Sequence, residues 1–361
     1  MRLIVAGGGT GGHLFPAIAI AKAVKDRDSS SQVLFVGTRN GIEAKIIPNT
    51  EFPINFISAR GMMKTGVLNS ALSVLEIPLG LLQSISIIRR FRPDCVLGVG
   101  GYASGPTVLA AWLMRVPTAI QEQNSVMGTT NRILSRLVNR IFLSWQDTEP
   151  ITPHEKTVVT GNPVRDDIFG GATSSAQNPD EFKILIFGGS RGARSINQSI
   201  AGNLDVFSAS GHKVRILHQT GSDMVQELRV AYEKAGIEAD VRDFINDMGS
   251  AYNWADVVIC RSGASSLAEI TALGKPAIVV PYPYAIGDHQ ARNAAVLEAQ
   301  GAVRVVNDRS LRNGALLKEI CKVMDHPELL SEMAKKSSGL GRPQAASEIA
   351  GQIVELGGSR R

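Results

Sequence analysis

Along the chain, short apolar runs rich in β-branched residues alternate with stretches whose apolar positions recur every three or four residues. The first series of runs is LIVA (3 to 6), VLFVG (33 to 37), CVLGVG (95 to 100), TAIQ (118 to 121), RIFLS (140 to 144) and TVVTG (157 to 161). Near-continuous apolar strands are buried on both faces, so the pattern predicts parallel strands covered by helices, an α/β doubly wound sheet. A second series follows: KILIFGG (183 to 189), VRILHQTG (214 to 221), ADVRDFI (239 to 245), DVVIC (256 to 260), AIVVPYP (277 to 283) and AVRVV (302 to 306). Residues 161 to 181, rich in Gly, Pro, Ser and Asn, read as the connection between two domains. Segments 93 to 120 and 255 to 280 share a strand, a glycine turn, a helix and a proline before the next strand. Two similar Rossmann-like domains are therefore expected, with ligands bound in a cleft where loops at the carboxyl ends of both sheets meet. The expected boundaries are 1–161 and 164–342. A last helical pattern, QAASEIAGQIVEL, falls in 343–361 and is expected to return to the first domain.

Four glycine-rich turns follow predicted strands: GGGTGGH (7 to 13), GVGGYASGP (98 to 106), FGGSRGARSIN (187 to 197) and RSGASSLAE (261 to 269). The first satisfies G-x-G-x-x-G through Gly7, Gly9 and Gly12, a weak signal by itself. A dinucleotide site places an acid at the end of the second strand, whereas this chain has Gly37 and Thr38 there. No Gly-Lys-Ser/Thr occurs, which argues against a nucleotide-hydrolysing phosphate loop. One such turn reads equally as a tight strand-to-helix connection. Four together are explained by an extended phosphorylated ligand, because bare backbone admits close approach and helix amino termini favour negative charge. His13 directly follows the first turn and is suited to accept a proton near neutral pH, the bland reading being a helix cap. Glu269 could take a ribose diol, and Arg165, Arg191 or Arg194 could pair with phosphates.

The chain has 361 residues, enough for two domains, with 44% hydrophobic and 20% charged residues. No apolar stretch long enough to span a bilayer and no secretory signal is seen, so a cytoplasmic location is expected. Three widely spaced cysteines, Cys95, Cys260 and Cys321, suggest neither a disulfide framework nor a thiolate metal site. A net charge of +5 suits phosphates, nucleic acid or an anionic membrane and does not choose among them. Within residues 60 to 92, Leu72, Leu75, Leu79 and Leu82 accompany Lys64, Arg89, Arg90 and Arg92. Apolar groups flanked by cations fit a membrane interface, and a buried helix followed by a basic loop is the alternative.

Taken in order, GGTGGH (8 to 13), GVGGYASGP, EQN (122 to 124), GNPVR (161 to 165), GGSRGAR (188 to 194), FINDM (244 to 248), CRSGASSLAEI (260 to 270) and DHQARNA (288 to 294) resemble the MurG family over almost the whole chain. These bacterial transferases add N-acetylglucosamine to the lipid-linked muramoyl-pentapeptide precursor of peptidoglycan. The resemblance implies a GT-B fold, inverting transfer from UDP-N-acetylglucosamine, an acceptor-binding and membrane-side first domain, and a donor-binding second domain. It implies that Thr10, Gly11 and Gly12 line the diphosphate or acceptor side, with His13 beside them, and that Asn124 and Arg165 contact the donor. Ser190 would meet the diphosphate and Ile245 the uracil through its backbone. Ala264, Ser265, Ser266, Leu267, Ala268 and Glu269 would hold the nucleoside diphosphate, Glu269 taking the ribose, and Gln290 the sugar. Many members carry histidine where this chain has Gln121, so no histidine acts at that position. His13 is the first candidate for the catalytic base and Glu122 its rival. No Asp-x-Asp metal signature is present among the loops, so no cofactor is expected to be required, a loosely associated divalent cation being left open. The implied partners are UDP-N-acetylglucosamine, the lipid-linked acceptor, the anionic inner membrane surface and other cell-wall synthesis or division proteins, without nucleic acid. Peripheral attachment to the cytoplasmic face of the inner membrane follows. The rival classes are a UDP-sugar epimerase or a transferase acting on a soluble acceptor, and a non-catalytic nucleotide-binding module.

Overall fold

The structure is a computed structural model that describes residues 1–59, 67–150, 154–170, 181–189 and 192–358, with the backbone alone described for 67–77, 154, 209 and 286. The chain divides into two compact units, Met1–Arg165 with Arg342–Arg361, and Asp166–Gly341. In the first unit seven strands are β1 Arg2–Ala6, β2 Gln32–Gly37, β3 Ile54–Phe56, β4 Cys95–Gly98, β5 Thr118–Glu122, β6 Arg140–Leu143 and β7 Thr157–Val159. They form one sheet in the order β3-β2-β1-β4-β5-β6-β7, every pairing parallel. The second unit has β8 Glu181–Phe187, β9 Lys213–Gln219, β10 Glu238–Arg242, β11 Val257–Cys260, β12 Ala277–Val279 and β13 Val303–Val305. Their order is β10-β9-β8-β11-β12-β13, again parallel throughout. The expected doubly wound fold class is therefore found in both units.

Alternation along the strands explains how each sheet is covered on two faces. On one side of the first sheet, Leu3, Val5 and Leu97 pack with Ile20 and Val24 of the helix Gly11–Arg27 and with Ile349 and Ile353 of the helix Ala345–Gly358. On the other, Ile4, Val96 and Ile120 meet Ile88 of the helix Val67–Phe91 and Val108 of the helix Ser104–Leu113. In the second unit, Ile184, Ile216 and Ile259 share a core with Ile196, Leu228 and Ile320.

The likeness between segments 93–120 and 255–280 has a concrete counterpart. Asp94, just before β4, accepts the amide of Arg2 at 2.7 Å, and Asp256, just before β11, accepts the amide of Lys183 at 2.8 Å. Each aspartate thus ties the start of its unit's first strand to the strand across the switch point. The short edge strand β3 was not expected, because three residues, INF, carry no usable periodicity. The apolar run 95 to 100 outlasts its strand: β4 ends at Gly98, and Gly100 and Gly101 turn away with φ of 92° and 80°.

Candidate active site

In a doubly wound sheet, ligands bind at the carboxyl ends of the strands where the order reverses. That point lies between β1 and β4 in the first unit, and the turns after these strands interlock. The Gly8 amide donates to the Gly100 carbonyl at 3.2 Å, and a Cβ on Gly101 would lie 2.4 Å from the Gly8 carbonyl oxygen. These glycines therefore serve loop-to-loop contact as well as any ligand. The helix Gly11–Arg27 begins directly beyond, with Thr10 as its extended N-cap. His13 Nδ1 lies 3.2 Å from the Gly8 carbonyl oxygen and 3.2 Å from Thr10 Oγ1. The Cδ2–Nε2 edge of its ring faces Gly100, where a Cβ would come within 2.9 Å of both atoms. A carbonyl only accepts, so with the proton on Nδ1 the Gly8 carbonyl is the partner and Nε2 carries the lone pair; with the proton on Nε2 the Thr10 hydroxyl donates to Nδ1 instead.

A residue that sequence reasoning missed braces this turn. Glu43 is 1% exposed; its Oε2 accepts the Gly9 amide at 2.7 Å, and its Oε1 accepts the Thr38 amide at 2.8 Å and the Thr38 hydroxyl at 3.0 Å. The acid absent from the end of β2 in the linear sequence is thus supplied from six residues beyond the strand. It faces the glycine turn from within the protein rather than a ribose.

Glu122 ends β5 and is 2% exposed. Its Oε1 accepts from the Asn124 amide and side-chain nitrogen at 3.0 and 3.2 Å, and its Oε2 from the Gly128 amide and Asn131 at 3.0 and 2.9 Å. Four donors converge on one carboxylate, which fixes the loop and orients Asn124. Gln121, where a histidine was weighed, is fully buried and donates to Asn162 Oδ1 at 3.1 Å, while Gln123 donates to Gln121 and to the Val99 carbonyl. The polar side of the EQN and GNPVR segments is thereby joined inside one unit. Arg165 stacks on Phe15, its guanidinium carbon 4.8 Å from the ring centroid, two residues beyond His13 on the same helix.

The second unit presents a parallel arrangement between β8 and β11. The described part of the turn after β8 includes Gly188, Gly189 and Gly192; Ser190 and Arg191 lie outside the described residues, and Arg194 is exposed at the start of the helix Arg194–Ala201. Gln219, at the end of β9, donates to the Gly189 carbonyl at 2.8 Å and accepts the Ile245 amide at 2.8 Å. This glutamine, also unforeseen, ties the glycine turn to the FINDM loop. After β11 the helix Ala264–Ala272 starts at the extended N-cap Gly263 with no side-chain cap. Ala264 and Leu267 are buried, whereas Ser265, Ser266, Ala268 and Glu269 are partly exposed. Tyr252 donates to Glu269 Oε2 at 2.9 Å, which orients the carboxylate. Gln290 accepts the Tyr282 amide at 2.9 Å through its side-chain oxygen, and its backbone carbonyl accepts the Ser262 hydroxyl at 2.8 Å. Arg261 spans Asp308, Ser195 and the Val280 and Pro281 carbonyls, locking the β11 turn from behind.

The cysteines are not reactive candidates. Cys95 and Cys260 are buried, which pushes the first thiol up to about 12 and raises the second, with the Glu269 charge adding to the latter. No cluster of metal-ligating side chains occurs among the described residues.

Two family models match the chain: the glycosyltransferase family 28 N-terminal domain over residues 3–143 and the glycosyltransferase family 28 C-terminal domain over residues 183–349. A curated relative from Syntrophus aciditrophicus (strain SB), named UDP-N-acetylglucosamine--N-acetylmuramyl-(pentapeptide) pyrophosphoryl-undecaprenol N-acetylglucosamine transferase, is 48% identical over 356 residues, covering 99% of each chain. A relative of the same name from Geobacter sulfurreducens is 43% identical over 357 residues, covering 98% of each. The crystal structure of Acinetobacter baumannii MurG superposes with a TM-score of 0.81 at 30% identity, covering 98% of this chain and 99% of that one. A UDP-GlcNAc 2-epimerase from Neisseria meningitidis reaches a TM-score of 0.68 at 17% identity over 98% of this chain and 100% of its own, a likeness of fold alone. With both domains matched and relatives aligned from end to end, this chain belongs to glycosyltransferase family 28, in its MurG group of N-acetylglucosaminyl transferases.

Proposed function

We propose that this enzyme transfers N-acetylglucosamine from UDP-N-acetylglucosamine to the C4 hydroxyl of an undecaprenyl-pyrophosphoryl muramoyl-pentapeptide, with inversion at the anomeric carbon. The observation that carries the proposal is end-to-end identity of 48% with a transferase of that name, joined to the two loop systems described above. The second unit is assigned the donor. Glu269, already oriented by Tyr252, would accept from the ribose hydroxyls, and the uncapped start of the helix Ala264–Ala272 would face the diphosphate. The Ile245 amide is donated to Gln219, so a uracil contact would use the Ile245 carbonyl. Gln290 keeps its side-chain nitrogen for the sugar, its oxygen being held by Tyr282.

His13 is assigned the base and Glu122 a bracing role. In the Nδ1–H tautomer, which the Gly8 carbonyl favours, Nε2 is the basic nitrogen of His13, whereas both Glu122 oxygens already accept two hydrogen bonds each. His13 would take the acceptor proton as the C4 oxygen attacks opposite the departing UDP. Charge then gathers on the diphosphate, where preorganised amides stabilise it without reorganising. The reading needs no resident metal.

A lipid-linked acceptor would call for peripheral attachment of the enzyme to an anionic membrane face. Leu79 and Leu82 are 47% and 64% exposed on the helix Val67–Phe91, which ends with exposed Arg89 and Arg90. Leu72 and Leu75 lie outside the described side chains. No described helix is long and apolar enough to cross a membrane. Exposed leucines with cations two or three turns farther on suit attachment to headgroups.

The test is incubation with radiolabelled UDP-N-acetylglucosamine and the lipid-linked muramoyl acceptor. Label in the organic-extractable lipid is expected. Label that stays on the nucleotide with the sugar epimerised at C2, or that moves only to water-soluble acceptors, would favour the rival enzymes.

A further inference from the structure

The peptide group between Gly8 and Gly9 is gripped at both ends. Its N–H donates to the buried Glu43 carboxylate at 2.7 Å, and its carbonyl oxygen lies 3.2 Å from His13 Nδ1. The carboxylate has a built compartment. A Cβ at Gly8, Gly37 or Gly41 would come within 2.4, 2.4 and 2.1 Å of a Glu43 atom, so three glycines leave the room it occupies. The other carboxylate oxygen is held by Thr38, which leaves Oε2 directed at the Gly9 amide.

We infer that Glu43 is a positioning residue that acts on His13 through the Gly8–Gly9 peptide group, doing at one remove what a carboxylate bonded directly to an imidazole does. A negative charge accepting an amide proton polarises that amide and makes its carbonyl a stronger acceptor. The stronger acceptor holds the proton on His13 Nδ1, orients the ring against Gly100, and stabilises the imidazolium that forms when Nε2 takes a proton. No proton passes along the chain of bonds; Glu43 and the peptide group keep theirs. The inference rests on His13 being the base, and its test separates the two.

Side-chain nitrogen NMR of the isotopically labelled full-length enzyme reads the His13 tautomer directly. The native enzyme is expected to hold the neutral ring as Nδ1–H, against the Nε2–H form that free histidine prefers. In Glu43→Gln the ring is expected to shift toward a mixture of the two forms. The same variant should lose about tenfold in kcat with KM for the sugar nucleotide unchanged, a share of the effect of a positioned base. A merely structural role for Glu43 would leave the tautomer of the folded variant unmoved. Nε2–H in the native enzyme, or an unchanged tautomer in folded Glu43→Gln, overturns the inference. Should Glu43→Gln not fold, Thr38→Val keeps the Gly9 bond and should retain Nδ1–H; loss of that form there also counts against the inference, and the native tautomer decides by itself. If the tautomer follows Glu43 while His13→Ala transfers at full rate, the coupling stands and the base assignment falls.

Discussion

At the scale of single residues, the proposed chemistry of the first unit depends on one imidazole set against bare backbone. Gly100 holds φ at 92°, and an added methyl would lie 2.9 Å from two atoms of the His13 ring. Gly100→Ala is accordingly expected to displace the ring and lower kcat by about tenfold or more, while UDP affinity measured by titration is unchanged. A second histidine shows the opposite use of the same side chain. His218 is fully buried in β9, between the Tyr232 hydroxyl at 2.9 Å and Asn197 Oδ1 at 3.2 Å, and burial lowers its pKa from 6.5 to about 3. Below pH 6.5 the unfolded chain takes up a proton that the folded one refuses, so stability falls as pH drops from 6.5 toward 3. The slope is roughly 1.4 kcal/mol per pH unit. The urea midpoint should therefore decrease from pH 7 to pH 5, and His218→Gln should flatten that decrease. Nothing in the linear pattern told these histidines apart except that His13 follows a glycine turn and His218 sits inside an apolar run.

At the scale of elements, parallel sheets were legible because buried strands read as unbroken apolar runs, and the turns because glycines cluster after them. The braces were not. Glu43 acts on Gly9 and Gln219 joins Gly189 to Ile245, contacts between residues distant in sequence that no local period encodes. Glu122 reads in the sequence as a rival catalytic base, whereas its setting among four donors appears only once the chain from 122 to 131 is folded. The helix Ala345–Gly358 packs on the first sheet through Ile349, Ala350 and Ile353, all fully buried. Ile353→Ala should destabilise the protein by about 2–5 kcal/mol, measured by denaturant unfolding, since the cavity cannot collapse between a sheet and a helix. A cost under about 1 kcal/mol would mean that this helix is not part of the core.

At the scale of the whole molecule, the chain repeats one device, a parallel sheet whose first and fourth strands open into glycine turns, to which the proposed function gives two tasks. In that proposal the first unit supplies His13 with its braces, and the second the helix start at Ala264, Glu269 and Gln290. A transferase with a lipid-linked acceptor and no described helix long and apolar enough to cross a membrane also needs a membrane-facing surface. The double variant Leu79→Glu, Leu82→Glu should therefore lose cosedimentation with anionic vesicles while binding UDP normally, and unchanged cosedimentation would remove the patch from the account. The central claim is inverting transfer to the lipid-linked sugar, and proton NMR of the purified product tests it most directly. A β-1,4-linked N-acetylglucosamine on the muramoyl lipid is the predicted result; an α-linked product, or a nucleotide sugar released as its 2-epimer with no lipid product, would contradict it.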